Sequence, residues 1–436
     1  MHPQRLFGAV CAVTPALLIA LTIMPSGCGA EALPDQDVAQ AGSSLSYGEM
    51  PPVRSPVPEE EANNAFEAAQ PATLPAAGQI IIQGAIANVD DIDVYALGPA
   101  VAGDRIIVDV SGNGGLNTVA SLFDGNLDLI DASDDRSYYG GQVDPYISQV
   151  VRRNTSNLFI GIAFSVAAHF GSGSGGIEGG SYSITVERQP GNAVIPPAHQ
   201  LVYLDFEGGD SVQIGLEPVV VMRPFSAESI SGRLTGKTDY IAGLLVDHMR
   251  NDLAPYNVTL VDSKHGAEPT EAHSTLFFGN YNAAYLGLAD NVDTGNVAEV
   301  QEAIIYAEDL AMWEYLQPSA DEVALALANI AAHELGHLLG LEHAEHAGDL
   351  MATADTARQV LEIDSTYLRT QLQYDVFPVG HQNGPDQLLL NVGTGGGAGA
   401  RLRLGEVIHT GSGAWRDDAG LPDIPIVQCS RCAGHH

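Results

Sequence analysis

The chain has 436 residues, 45% hydrophobic but only 6% aromatic, and its 48 glycines and 24 prolines mark many turns. That is length for two or three domains with sizeable cores. Charge is the outlier: 54 acidic residues oppose 18 basic ones, a net charge of −36, and Lys237 and Lys264 are its only lysines. Such a surface repels phosphate, so nucleic acid and anionic membrane faces are excluded as partners.

The cysteines are Cys11, Cys28, Cys429 and Cys432. Nothing between Gly29 and Gln428 can form a disulfide, so the middle of the chain must fold on its own core.

Residues 1–28 read as an export signal. A short basic head ends at Arg5, an uncharged apolar run follows from Leu6 to Met24, and small residues follow that. An uncleaved membrane anchor is the competing reading, since the run is nearly long enough to span. Ser26-Gly27-Cys28 resembles the lipobox of bacterial lipoproteins. The resemblance implies lipidation at Cys28 and an outer-membrane lipoprotein, beside the alternative of free secretion. Residues 29–78, acidic and proline-rich with Glu59-Glu60-Glu61 and no apolar periodicity, are expected to be a disordered linker.

Between 79 and 190 short β-runs alternate with Gly, Asn and Asp clusters. Ile80-Ile81-Ile82, Val94 to Leu97, Arg105 to Val110, Val119 to Phe123, Leu158 to Ile162 and Ser181 to Val186 are the clearest. The pattern predicts an all-β sandwich. It resembles the bacterial pre-peptidase C-terminal domain at Gly84, Asp90 to Tyr95, Ala102-Gly103-Asp104, Leu122-Phe123-Asp124 and Gly180-Ser181-Tyr182. That resemblance implies an accessory module of a secreted peptidase, although in the family it commonly follows the catalytic domain. Asp90, Asp91 and Asp93 offer clustered carboxylates for Ca2+, but a solvated turn is expected there.

Pro196-Pro197 divides this module from a differently patterned region, 198–392, and the two parts are expected to fold separately. Strands are expected at Leu201 to Phe206, Asn257 to Val261, Ser274 to Phe278 and Ala303 to Tyr306, with an amphipathic helix from Asp239 to Asp252. Alternating strands and helices predict an α/β domain. Asp290, Asn291, Asp293 and Asn296 form a second polar loop, read as solvated in preference to a Ca2+ site.

Ser319-Ala320-Asp321-Glu322 is a helix start. From Val323 to Leu341 only Asn329, His333, Glu334 and His337 are polar, so the helix is expected to be buried. Unpartnered imidazoles and a carboxylate there would cost several kcal/mol, on the order of each group's desolvation. His333 and His337 stand one turn apart on one face, where both can bind one metal. Gly340 lets the chain leave the helix through positive φ and bring His343 back. His346 would need a further loop, so His343 is the expected third ligand, with Glu342, Glu345 and His346 forming a solvated edge. Three imidazoles and an open position make a catalytic Zn2+ site. At this composition HExxHxxGxxH arises by chance on the order of once in ten thousand chains.

The pattern resembles the metzincin clan of zinc metalloendopeptidases. The resemblance implies an α/β metzincin-like peptidase domain after the sandwich, with His333, His337 and His343 as zinc ligands and Glu334 as general base. It also makes Met351 the floor of the site and implies a protein or peptide substrate pairing with an edge strand near Ile304-Ile305-Tyr306. Thr353 stands where some families carry a zinc-site tyrosine. A monomer is expected. Rival readings are a cell-surface binding or adhesion protein with a vestigial zinc site and a zinc hydrolase of a non-peptide amide. Residues 393–436 read as a glycine-rich tail whose Cys429-Ser430-Arg431-Cys432 is expected to close a terminal disulfide.

Overall fold

The computed structural model describes residues 55–136, 142–165, 179–215, 217–354 and 356–395. The export signal and lipobox, residues 29–54 of the expected linker, and the tail with Cys429 and Cys432 lie outside the described residues.

Ten strands come first: β1 (Val57–Pro58), β2 (Gln70–Pro71), β3 (Gly78–Ile86), β4 (Ile92–Ala100), β5 (Arg105–Gly112), β6 (Thr118–Phe123), β7 (Leu129–Ser133), β8 (Tyr146–Val150), β9 (Thr155–Phe164) and β10 (Gly180–Gln189). They form two five-stranded sheets, β1-β3-β10-β5-β8 and β2-β4-β9-β6-β7. Strands β5 and β10 alternate buried and half-exposed residues, as one-sided sheets do. Strand β6 is buried at all six positions. Its Ala120 and Leu122 join the core between the sheets, while Val119 and Phe123 join a second cluster with Leu372, Val376 and Phe377 from the far part of the chain. The second sheet is therefore covered on both faces.

Residues 55–78 depart from the linker expectation. β1 pairs in parallel with β3 and β2 with β4, while Ala72 and Leu74 donate to Ala96 O and Leu97 O, each at 2.9 Å. Two-residue strands are too short to show periodicity, and the sheet edges satisfy the backbone that the sequence alone leaves unpaired.

The second part contains β11 (Gln200–Asp205), β12 (Gly209–Val212), β13 (Val220–Met222), α1 (Ala227–Ile230), α2 (Thr238–Leu253), β14 (Val258–Asp262), β15 (Ser274–Gly279), β16 (Gly287–Ala289), β17 (Glu302–Tyr306), α3 (Ala320–Leu338), α4 (Ala357–Glu362), β18 (Arg369–Gln371), β19 (His381–Asn383) and α5 (Gly384–Asn391). The main sheet runs β14-β11-β15-β17-β16, parallel except for the antiparallel edge strand β16. Strand β17, placed at the edge by the metzincin resemblance, is interior. Helices α2 and α3 contribute Leu245, Met249, Leu327 and Leu335 to one core with Leu204, Leu276 and Ile305 of the sheet.

Residues of both parts belong to one compact unit. Arg369 Nε pairs with Asp128 at 2.6 Å, and Gln387 Nε2 donates to Leu129 O at 2.8 Å. With the shared apolar cluster, these ties join the two parts that Pro196-Pro197 separate in sequence.

Candidate metal centre

Helix α3 begins with a capping box in which the Ser319 hydroxyl accepts from Glu322 N and Glu322 accepts from Ser319 N. Its apolar surround buries it, and His333 and His337 share one face with ring centroids 4.7 Å apart. The helix closes in a Schellman motif: Leu341 N donates to Gly336 O at 2.9 Å and Gly340 N to His337 O at 2.8 Å, with Gly340 at φ 88°. A Cβ at Gly340 would also fall 2.6 Å from Asp293 O. The turn carries His343 back until its ring lies 5.3 Å from that of His333 and 4.9 Å from that of His337.

One ligand atom from each histidine lies within 4.8 Å of the other two. His346 is not in the group; its Nδ1 accepts from Gly348 N at 3.0 Å. His333 Nδ1 meets Leu350 O at 2.7 Å and His337 Nδ1 meets Leu341 O at 2.8 Å. A carbonyl only accepts, so both Nδ1 atoms carry hydrogens and both Nε2 atoms present lone pairs, 3.1 Å from each other. His343 Nδ1 faces Asp375 Oδ2 at 3.4 Å, and its Nε2 is buried with no hydrogen-bond partner. Burial, then the neighbouring His343, pushes His333 down to about 3 against the opposing pull of the Leu350 carbonyl. Facing lone pairs and an orphaned buried nitrogen fit a divalent cation, and three converging imidazole donors suit zinc.

Glu334 is 1% exposed, and a Cβ on Gly287 of β16 would run into its carboxylate. An apolar cleft lined by Leu286, Gly287, Ile330 and Val360 opens beside His333 and Glu334. Met351 is fully buried beneath the helix, where a Cβ on Gly336 would collide with its sulfur. Asp349 holds this turn, accepting from Met351 N at 3.0 Å and Thr370 Oγ1 at 2.8 Å, and burial pushes its carboxyl up to about 7. Thr353 turns aside to donate to Gln373 Oε1 at 2.7 Å.

The expected solvated edge is only partly so. Glu345 is exposed and His346 half-buried, but Glu342 is buried with its backbone N–H on Gln382 Oε1 at 2.6 Å. Sequence reasoning missed Asp375, Gly287 and Gln382, which act through tertiary contacts that no local spacing announces.

The two acidic loops also differ. In the Asp290 loop the polar atoms latch backbone and side chain: Asp290 accepts from Gly215 N and Glu302 N, Asp293 from Ala298 N and Asn291 from Gln301. In the sandwich, Asp90 is exposed and Asp91 accepts from Ala87 N at 2.6 Å. Asp93 is no solvated turn residue. It is fully buried on β4 and gathers with Glu59 and Glu61, ligand oxygens within 4.8 Å. Asp93 Oδ2 accepts from Tyr182 OH at 2.5 Å, and the Asp93 carboxyl is in hydrogen-bond contact with that of Glu59. Burial above all, then contact with Glu59, holds the Asp93 carboxyl well above the usual carboxylate range.

Among the described residues no helix is long and apolar enough to cross a membrane. No curated protein matches the chain. Among solved structures it is similar to PliG, a periplasmic inhibitor of g-type lysozyme from Aeromonas hydrophila, at 20% identity, over 28% of this chain and 96% of that one, with a TM-score of 0.21. It is similar to the pre-peptidase C-terminal domain of a Bacillus anthracis collagenase at 16% identity, 29% and 100% coverage and a TM-score of 0.21. For archaemetzincin from Methanopyrus kandleri the figures are 14%, 39% and 89%, and 0.24. These likenesses concern parts of the chain and carry nothing about its chemistry. A matrixin family model matches residues 286–366, from the segment leading into β16 through α3 and the Met351 turn. That match and the three-histidine group support a zinc metallopeptidase of the metzincin type.

Proposed function

We propose that this chain is an exported zinc endopeptidase in which His333, His337 and His343 hold the metal and Glu334 is the general base. One observation carries the reading: three buried imidazoles converge beside a buried carboxylate on a single helix and its returning turn. Zinc supplies Lewis acidity, making water nucleophilic at neutral pH and polarising a carbonyl. Glu334 takes the proton of the attacking water on its carboxylate and passes it to the leaving amine. Among the described residues β16 pairs with β17 alone, which leaves its other edge for an extended peptide, and the cleft beside it suits an apolar side chain. Met351 floors the site. The leader-like residues 1–28 support export, and the residues quoted from the sandwich support a module like the pre-peptidase C-terminal domain.

The test is cleavage of casein or a peptide library by purified protein. Cleavage should stop on chelation and return with zinc. Activity indifferent to the chelator would overturn the reading.

A second reading concerns the sandwich. The convergence of the Glu59, Glu61 and Asp93 carboxylates favours a calcium ion. Calorimetric titration with Ca2+ tests it, and no heat of binding in a folded protein would end it.

A further inference from the structure

The third histidine is held unlike the first two. His333 and His337 meet main-chain carbonyls, whereas His343 meets the side chain of Asp375. Asp375 belongs to the bend between β18 and β19, which is latched to the turn bearing His343. Gln373 N donates to His343 O at 3.2 Å and Glu345 N to Gln371 O at 2.9 Å.

The other side of that bend lies on the sandwich. Val376 and Phe377 are buried with Val119, Phe123 and Ala163. The Phe377 ring sits 5.6 Å from that of Phe123, and Phe66 packs edge-on behind Phe123 at 5.1 Å. A Cβ on Gly161 of β9 would fall 2.5 Å from Phe377 Cζ, so only glycine there leaves room for the ring. Tyr374 OH donates to Val89 O at 3.3 Å.

We propose that the β-sandwich is a working part of the metal centre. Gly161 and Phe123 seat Phe377, the seated ring fixes the bend, and the bend holds Asp375 as a positioning residue on His343 Nδ1. This rests on reading the three histidines as zinc ligands. A carboxylate accepting the Nδ1 hydrogen fixes the tautomer and ring orientation and makes Nε2 a better donor to metal. It also explains why β6 and the end of β9 are buried on both faces, where a tethered accessory module would present an exposed outer face.

Zinc affinity of the full chain, measured by competition with a chromogenic chelator, tests the coupling without reference to activity. Asp375→Ala is expected to weaken zinc about 10–100-fold. Asp375→Asn, whose amide oxygen still accepts, should recover part of that loss. Gly161→Ala places one methyl against Phe377 in the other part of the molecule and should weaken zinc several-fold. Combined with Asp375→Ala it should add nothing further, because both act through one contact. Ile106→Val, in the core between the sheets, serves as a control that lowers stability and leaves zinc affinity alone. Wild-type affinity in folded Gly161→Ala, or losses that simply add, would overturn the proposal. Should Gly161→Ala not fold, Phe377→Leu reads the same coupling from the other side with the same two outcomes. Failure of wild-type protein to bind zinc, or wild-type affinity in His343→Ala, would remove the zinc reading itself and the coupling with it.

Discussion

Gly287 lies against the Glu334 carboxylate so closely that a Cβ on the glycine would overlap it. The edge strand and the proposed general base are thus fitted to each other, and the fit has a kinetic consequence. Gly287→Ala must push the carboxylate aside while leaving the three histidines in place. It should keep one zinc per chain and lose about 10–100-fold in kcat, the scale of an ångström misplacement. A wild-type kcat with full zinc would show that the carboxylate has room to move.

Removing the Glu334 carboxylate altogether is the stronger perturbation. Glu334→Ala is expected to retain zinc and lose several orders of magnitude in kcat, on the scale of other essential catalytic groups. Metal analysis beside peptide turnover checks both halves; turnover near that of wild type would exclude Glu334 as the base.

The site was legible because it is local: His333, Glu334, His337, Gly340 and His343 span eleven residues, and helix geometry plus one positive φ converts their spacing into a cluster. The sandwich was legible where strands alternate. Strand β6 is buried on both faces, and its packing against the far part of the chain was not read from the sequence. Asp375 sits 32 residues from His343, and Glu59 lies 34 before Asp93. Such pairs are set by topology, which single-sequence periodicity does not carry. The edge strand was misplaced for a similar reason, since three residues of β16 give no period to read.

The shared cluster also decides how the molecule unfolds. A chain beginning near Ala193 would expose Leu372, Val376 and Phe377, all now at most 1% exposed. Such a fragment should aggregate or bind zinc weakly, and the full chain should melt in one transition by circular dichroism and intrinsic fluorescence. Two well-separated transitions, or a soluble fragment with full zinc affinity, would restore independent domains.

Asp93 gives the sandwich a pH dependence. Its folded pKa is raised, so the folded state holds a proton that the unfolded state releases more readily. Stability from this group is therefore present at low pH and lost as pH rises through the folded pKa. If Ca2+ occupies the Glu59, Glu61 and Asp93 cluster, it takes the place of that proton, and its affinity should rise with pH. Thermal unfolding of zinc-loaded protein should show a midpoint that falls toward alkaline pH without Ca2+ and holds with it. Asp93→Asn should remove the pH dependence and the Ca2+ effect together. A Ca2+ effect that survives Asp93→Asn would place the ion elsewhere.

The return of His343 depends on one residue, and the dependence can be graded. Gly340 holds φ 88°, and a Cβ there would meet Asp293 O at 2.6 Å. Left-handed backbone costs an L-residue about 1–2 kcal/mol, and the collision adds to it. In Gly340→Ala the cheapest relief is for the turn to shift, which carries His343 away from His333 and His337. Zinc should then weaken while α3, capped at its other end by Ser319 and Glu322, stays helical. His343→Ala should lose zinc at least as sharply, because it removes the ligand outright. His346→Ala should change zinc affinity little, since that ring only accepts from Gly348 N, at 3.0 Å. Chelator competition across the three variants gives the order. A larger loss from His346→Ala than from His343→Ala would mean that the chain returns to the metal at a different residue.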